Sequence, residues 1–302
     1  MIKKQRREIP EEKIIPVKRN TKKIDFTKKY TFIYFDWWFY LVTLPGFLFC
    51  YFLGLLCALY CGLRVTGRKN KQILKKQGCI TISNHCHFFD TVFASLVLLP
   101  QRLYVSVAQR NYEVPVIRRI LRIVRAFPIP ANPSSGLQMI VAPVGEALKR
   151  GHHVHFLPEG ELVYLSQEIF RFKRGAFYLS YIHQAPILPM VFILTRRCLF
   201  GKMQSPHWPR MRMVIGEPLF PPPLRTDGTY PGEEIDDLME KAACWMEDTI
   251  ASYHSENINR GISLTGVTTR DNGYPPPKTA GYGICAGEVD TLLNIKGKGD
   301  VL

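Results

Sequence analysis

The sequence lacks the spacings that announce small metal and disulfide modules. Its eight cysteines contain no CxxC pair, and Cys50, Cys57 and Cys61 fall inside an apolar run. Neither a disulfide framework nor a zinc module fits that distribution, which suits reduced thiols at a cytosolic face. Acids are scarce: 25 Asp and Glu stand against 40 Lys and Arg, a formal charge of +15 that calls for an acidic partner surface. No aromatic pattern interleaves the basic residues and no RNA-binding signature follows them, so nucleic acid is not the expected partner. A small-x-small cleavage pattern is missing at Tyr60-Cys61 and the basic leader is long, so a secretory signal peptide fits poorly. No internal repeat is present.

What is there divides into four stretches. Residues 1–36 form a basic arm; its first 30 residues carry eleven Lys or Arg against four acids, and Pro10 and Pro16 suit a mobile segment that meets anionic lipid. Residues 37–63 hold no charge and open on Trp37-Trp38-Phe39-Tyr40, an interfacial aromatic cluster. That run is long enough for a membrane anchor. Basic residues follow it as well as precede it, from Arg64 to Lys76 without an acid. The positive-inside rule then favours a re-entrant hairpin turned at Pro45-Gly46, with a single span as the alternative and a buried core helix as the plain reading. Residues 64–256 are the folded domain. Residues 257–302 are expected to be a disordered tail: from Gly261 on there are eight glycines and the run Pro275-Pro276-Pro277.

Within the domain, short apolar runs at 79–83, 103–107, 126–129, 154–157, 187–194 and 211–215 read as strands. Helical segments are expected at 91–99, 115–124, 137–150 and 175–184, with Gly151 closing the third. Residues 233–253 form an acidic amphipathic helix that packs back onto the domain. The alternation predicts an α/β domain with a mostly parallel sheet flanked by helices. Arg118, Arg119, Arg122 and Arg125 sit among apolar residues at helical spacing, a solvated face or a helix that lies on lipid.

The chemistry concentrates in Ser83-Asn84-His85-Cys86-His87-Phe88-Phe89-Asp90, where a β-branched strand breaks into a polar loop. His85 and Asp90 are five apart and share no helical face, so they meet only across a turn with the helix starting near Asp90. A histidine oriented by a carboxylate is a general base. Asp90 is equally a plain N-cap for a helix from Thr91, His87 is the alternative partner at a spacing of three, and Cys86 is a candidate thiol nucleophile or metal ligand. His152, His153 and His155 alternate before Pro158-Glu159-Gly160, a turn that closes a strand.

Asn84-His85-x-x-x-x-Asp90 after a strand resembles the first motif of the glycerolipid acyltransferases, the lysophosphatidic acid acyltransferase family. Phe156-Leu157-Pro158-Glu159-Gly160 resembles the family's third motif, Phe-Pro-Glu-Gly, with Leu157 interposed. Phe172-Lys173-Arg174-Gly175 resembles the basic stretch after it, Ala185-Pro186-Ile187-Leu188-Pro189 the fourth motif, and Val214-Ile215-Gly216-Glu217-Pro218 the closing strand. The resemblance implies an O-acyltransferase at the cytoplasmic face of a membrane. It would move a fatty acyl group from acyl-CoA or acyl carrier protein to a lysolipid hydroxyl, with no cofactor and no metal. His85 would take the hydroxyl proton and Asp90 would stabilise the imidazolium. Asn84, Pro158, Glu159, Gly160, Lys173 and Arg174 would line the substrate site, and membrane phospholipids would be the partner. Backbone amides near Gly160 would hold the oxyanion.

Two departures stand out. The family's second motif ends in an arginine that contacts the acceptor's phosphate, and the matching stretch here, Ala126 to Asn132, ends without one. The third motif continues as Glu161-Leu162-Val163 where the family has Thr-Arg-Ser, and the stretch to Phe172 is long. Either Arg125, Arg171, Lys173 or Arg174 supplies the charge, or the acceptor is another lysolipid. A metal-dependent hydrolase built on His85, Cys86, His87 and the His152-His153-x-His155 cluster, and a non-catalytic lipid-binding protein, are the rival readings.

Overall fold

The computed structural model describes residues 6–10, 24, 30–74, 77–130, 138–195, 198–199, 202–203, 209–226 and 229–259. The stretch from 260, where the tail is expected, lies outside them, as does the end of the second motif at Ala131 and Asn132. The elements in chain order are α1 (Trp37–Tyr60), β1 (Arg64–Thr66), α2 (Arg68–Ile73), β2 (Ile80–Ser83), α3 (Asp90–Leu98), β3 (Leu103–Ala108), α4 (Gln109–Tyr112) and α5 (Pro115–Ile123). There follow β4 (Ala126–Ile129), α6 (Gln138–Lys149), β5 (His153–Phe156), α7 (Gly175–His183) and β6 (Ile187–Thr195). A small hairpin of β7 (Cys198–Leu199) and β8 (Lys202–Met203), then β9 (Arg210–Ile215) and α8 (Gly232–Asn259), complete the described chain.

Seven strands form one sheet in the order β1-β9-β6-β2-β5-β3-β4, parallel throughout except for the antiparallel pair β6 and β9. The expected mostly parallel α/β sheet is therefore present. Central strand β6 reads Ile-Leu-Pro-Met-Val-Phe-Ile-Leu without a polar break because both faces are covered. Ile187, Val191 and Ile193 meet the layer of α6, α7 and α8. Leu188, Met190, Phe192 and Leu194 point the other way, toward Phe93, Ala94 and Leu98 of α3.

The apolar run forms a single continuous helix, so the expected turn back at Pro45-Gly46 does not occur. Pro45 sits inside α1 and removes only one N–H from its ladder. Gly46 lies against Ile123 of α5, and a side chain at Gly54 would meet Val92 of α3 at 2.5 Å. Close packing against two helices thus holds α1 straight. Both of its ends are fastened to the same sheet: the Tyr40 and Tyr104 hydroxyls are 2.7 Å apart, and the Cys61 carbonyl accepts the Met211 N–H at 3.1 Å. The outer side stays bare, with Trp37, Val42, Phe49, Phe52 and Leu59 exposed. Val116 and Ile120 of α5 are exposed as well. By length and composition α1 is the one helix among the described residues able to cross a membrane.

Residues 6–9 are docked rather than loose. The Arg6 guanidinium donates to Glu240 at 2.5 Å and Glu247 at 2.9 Å on α8. Arg7 pairs with Glu168 at 2.6 Å, and its carbonyl accepts the Arg171 N–H at 3.0 Å. Ile9 packs on Val163 and Phe170.

Candidate active site

β2 and β5 are parallel neighbours, with Ile82 beside Phe156. The loops leaving their carboxyl ends therefore converge, which brings His85 and Glu159 together from positions 74 residues apart in sequence. Helix α3 begins at Asp90, as the five-residue spacing requires, but the aspartate does not cap it forward. Its Oδ2 instead reaches back and accepts the N–H groups of Cys86 and His87, each at 2.8 Å, together with His85 Nδ1 at 3.2 Å. Asp90 is fully buried, whereas the His85 side chain keeps 18% of its surface open. With Nδ1 donating to the carboxylate, Nε2 is left with its lone pair toward the open side.

His87 does not compete for that role. Its Nδ1 accepts the Phe89 N–H at 3.3 Å and its ring lies 5.7 Å from that of Tyr164. Burial lowers its pKa, against the pull of Asp90. Cys86 is buried; burial, then the charges of Asp90 and Glu159, hold its thiol well above the ordinary value. A thiolate nucleophile needs the opposite environment.

The remaining sequence-predicted residues divide. Asn84 is buried and its amide spans the backbone of Phe192 on β6, donating to its carbonyl at 3.0 Å and accepting its N–H at 2.8 Å. It fixes the loop to the sheet. Glu159 is buried near the His85 N–H, and its Oε1 has no hydrogen-bond partner. Burial, then the charge of Asp90, push its carboxyl well above the usual carboxylate range. Pro158 accepts the Lys173 N–H at 2.8 Å, and the Lys173 ammonium lies over Gly160, where a Cβ would come within 2.6 Å of it. Gly160 has φ +84°, a conformation that favours glycine. Arg174 is drawn aside into a two-point pair with Asp236, at 2.8 and 2.6 Å.

The long stretch after Gly160 closes on the His85–Asp90 loop. Val163 donates to the His85 carbonyl at 3.3 Å and Leu165 to that of Cys86 at 2.7 Å. Gln167 clasps β6 next to Asn84, accepting the Leu194 N–H at 2.8 Å. Arg110 and Glu161 form an ion pair beside it. None of these contacts was readable from spacing, since each joins segments distant in sequence.

The histidine cluster disperses. The His152 ring lies near Tyr104, His153 meets Cys79 with Nδ1 3.2 Å from Sγ, and His155 meets Thr81 and Ser83. Among the described residues no three His, Cys, Asp or Glu side chains converge as a metal set.

Residues 63–193 match the acyltransferase family model. Over 133 residues the chain is 30% identical to the human 1-acyl-sn-glycerol-3-phosphate acyltransferase beta, covering 43% of this chain and 47% of that protein. The chain thus spans about half the length of that curated relative. Among solved structures, the 1-acyl-sn-glycerophosphate (LPA) acyltransferase PlsC from Thermotoga maritima covers 70% of this chain and 92% of its own, with a TM-score of 0.44 and 16% identity. The segment that carries β2, the His85–Asp90 loop, β5 and Glu159 is the segment that matches the acyltransferase family model.

Proposed function

We propose that the protein is a membrane-bound O-acyltransferase acting on a lysolipid hydroxyl, with 1-acyl-glycerol-3-phosphate as first acceptor and phosphatidic acid as product. The observation that carries this reading is the His85–Asp90 pair, with a buried carboxylate behind a partly open imidazole. Nε2 of His85 takes the proton from the acceptor hydroxyl, and the alkoxide oxygen attacks the thioester carbon of acyl-CoA or acyl carrier protein. The tetrahedral intermediate collapses, the C–S bond breaks, and the leaving thiolate recovers the proton from His85. Asp90 stabilises the imidazolium in between, and general-base help of this kind is worth on the order of 10²–10⁴-fold. Lys173, whose ammonium lies over Gly160, serves an acceptor phosphate where the second-motif arginine is missing.

The membrane enters through α1. A helix of 24 residues is about 36 Å long. With both ends bonded to one domain, it cannot deliver them to opposite sides of a bilayer. It lies along the membrane with its bare face in the acyl region, and Val116 and Ile120 of α5 extend that face. The active site then opens on the cytoplasmic leaflet, where the acceptor resides.

The test is acyl transfer by the detergent-solubilised enzyme to a panel of lysolipids, with acyl-CoA and acyl carrier protein as separate donors, read by mass spectrometry. Transfer to lysophosphatidic acid that vanishes in H85A supports the reading. Hydrolysis of a lipid without transfer to any acceptor would refute it.

A further inference from the structure

His155 is a buried histidine that the proposed mechanism does not use, one strand away from the residue that does. β2 places Thr81 and Ser83 on the face opposite Ile80 and Ile82, and His155 on neighbouring β5 lies directly beside Thr81. All three are buried. Two buried hydroxyls and an imidazole are costly in such a layer unless their hydrogen bonds close on one another.

They close in one direction. Ser83 Oγ lies 3.1 Å from the Asn84 carbonyl, which only accepts, so the single hydroxyl proton goes there. Ser83 must then accept from His155 Nε2 at 3.3 Å. A neutral ring with its proton on Nε2 presents a lone pair at Nδ1, which takes the Thr81 hydroxyl at 2.9 Å. Burial, then the charge of His85, lower the His155 pKa to about 3, so the neutral ring the chain of bonds requires is the stable one. The chain ends on the Asn84 carbonyl, which belongs to the peptide that leads into His85.

We propose that His155 is a positioning residue for the general base: through Ser83 it grips the carbonyl of the Asn84–His85 peptide. The orientation of that peptide sets where the His85 ring leaves the backbone. Asp90 aligns the ring from Nδ1, and the clamped peptide aligns it from the main chain. This inference rests on the reading of His85 as the base.

H155Q and H155N separate this role from simple packing. The amide nitrogen of H155Q reaches the place of Nε2 and can still donate to Ser83. In H155N the amide is one carbon shorter and reaches only the place of Nδ1. Wild type, both variants and S83A are compared for kcat, KM, melting temperature and the low-field proton of His85 Nδ1, assigned by its loss in H85A. H155N and S83A are expected to lose about 10²-fold in kcat, the scale of a misplaced reacting group, with KM unchanged and the low-field signal weakened. H155Q keeps both kcat and the signal at a similar melting temperature. Equal kcat in H155N and H155Q overturns the inference, whether both fall with melting temperature or both stay at the wild-type level. If the wild type transfers no acyl group, the proposed function fails, and the low-field proton in the same four proteins decides the positioning role alone.

Discussion

Acid should unfold this protein through histidines that never touch substrate. His153, His155 and His254 are buried, and burial lowers their pKa values from 6.5 to about 4, about 3 and about 4. The unfolded chain therefore binds protons that the folded one refuses. Stability from these groups is present in full above the unfolded pKa of 6.5 and is lost as pH falls toward the folded values. From pH 7 to pH 5 each unfolded histidine gains about 2 kcal/mol from protonation while its folded counterpart gains almost nothing, so the three together remove about 6 kcal/mol. A domain stable by about 5–15 kcal/mol cannot lose that without consequence. Glu159 runs the other way, since its raised pKa costs less stability at pH 5 than at pH 7, and it offsets part of the fall. His254 on α8 gives the cleanest test because it stands apart from the His85–Asp90 loop. Urea titrations of wild type and H254L at pH 7 and pH 5, in one detergent and followed by circular dichroism, should show the pH-dependent loss reduced in H254L by about 2 kcal/mol, one histidine's share. An identical loss in both proteins would refute the assignment of a neutral buried ring.

Four further outcomes follow from the site. H85A should lower kcat by at least about 10²-fold while H87A keeps substantial activity, and the reverse pattern in steady-state assays would move the base to His87. C86S should keep most activity, and incubation with labelled acyl donor alone should leave no hydroxylamine-sensitive label on the protein; a label formed at the turnover rate would mean an acyl-enzyme. K173A should raise the KM for lysophosphatidic acid without a matching change for an acceptor that carries no phosphate, whereas R174A, whose guanidinium is held by Asp236, should change neither. F49E with F52E places charges on the bare side of α1 and should move the protein from sedimented membranes to the supernatant, with detergent-assayed activity retained.

The main strands and helices were legible because each is a short apolar run ended by a turn residue, and a sheet covered on both faces leaves that mark. The edge strand Arg64–Thr66 was not, since three residues with an exposed-intermediate-exposed pattern carry no periodicity. Pro45-Gly46 suggested a hairpin because proline and glycine punctuate most chains. What the sequence cannot display is that Ile123 and Val92 stand where a bend would leave a gap. At the site, spacing offered both His85 and His87 as partners of Asp90, and the resemblance to the acyltransferase motif selected His85, which the structure places against Asp90. The engagement of Asn84 with Phe192 and of Arg174 with Asp236 was not, because partners 108 and 62 residues apart leave no local pattern. His155 read as a candidate ligand because histidines alternating on a strand look the same whether they meet a metal or two hydroxyls.

The docking of Arg6 and Arg7 has a temporal side. Arg6 meets Glu247 across 241 residues, and Arg7 meets Glu168 across 161. During synthesis the first of these partners leaves the ribosome long after α1 has emerged. The stretch that closes over His85 is tied to residues 6–9, and those residues are tied to α8. The contacts that join residues 6–9 to α8 therefore form only after α8 has been made.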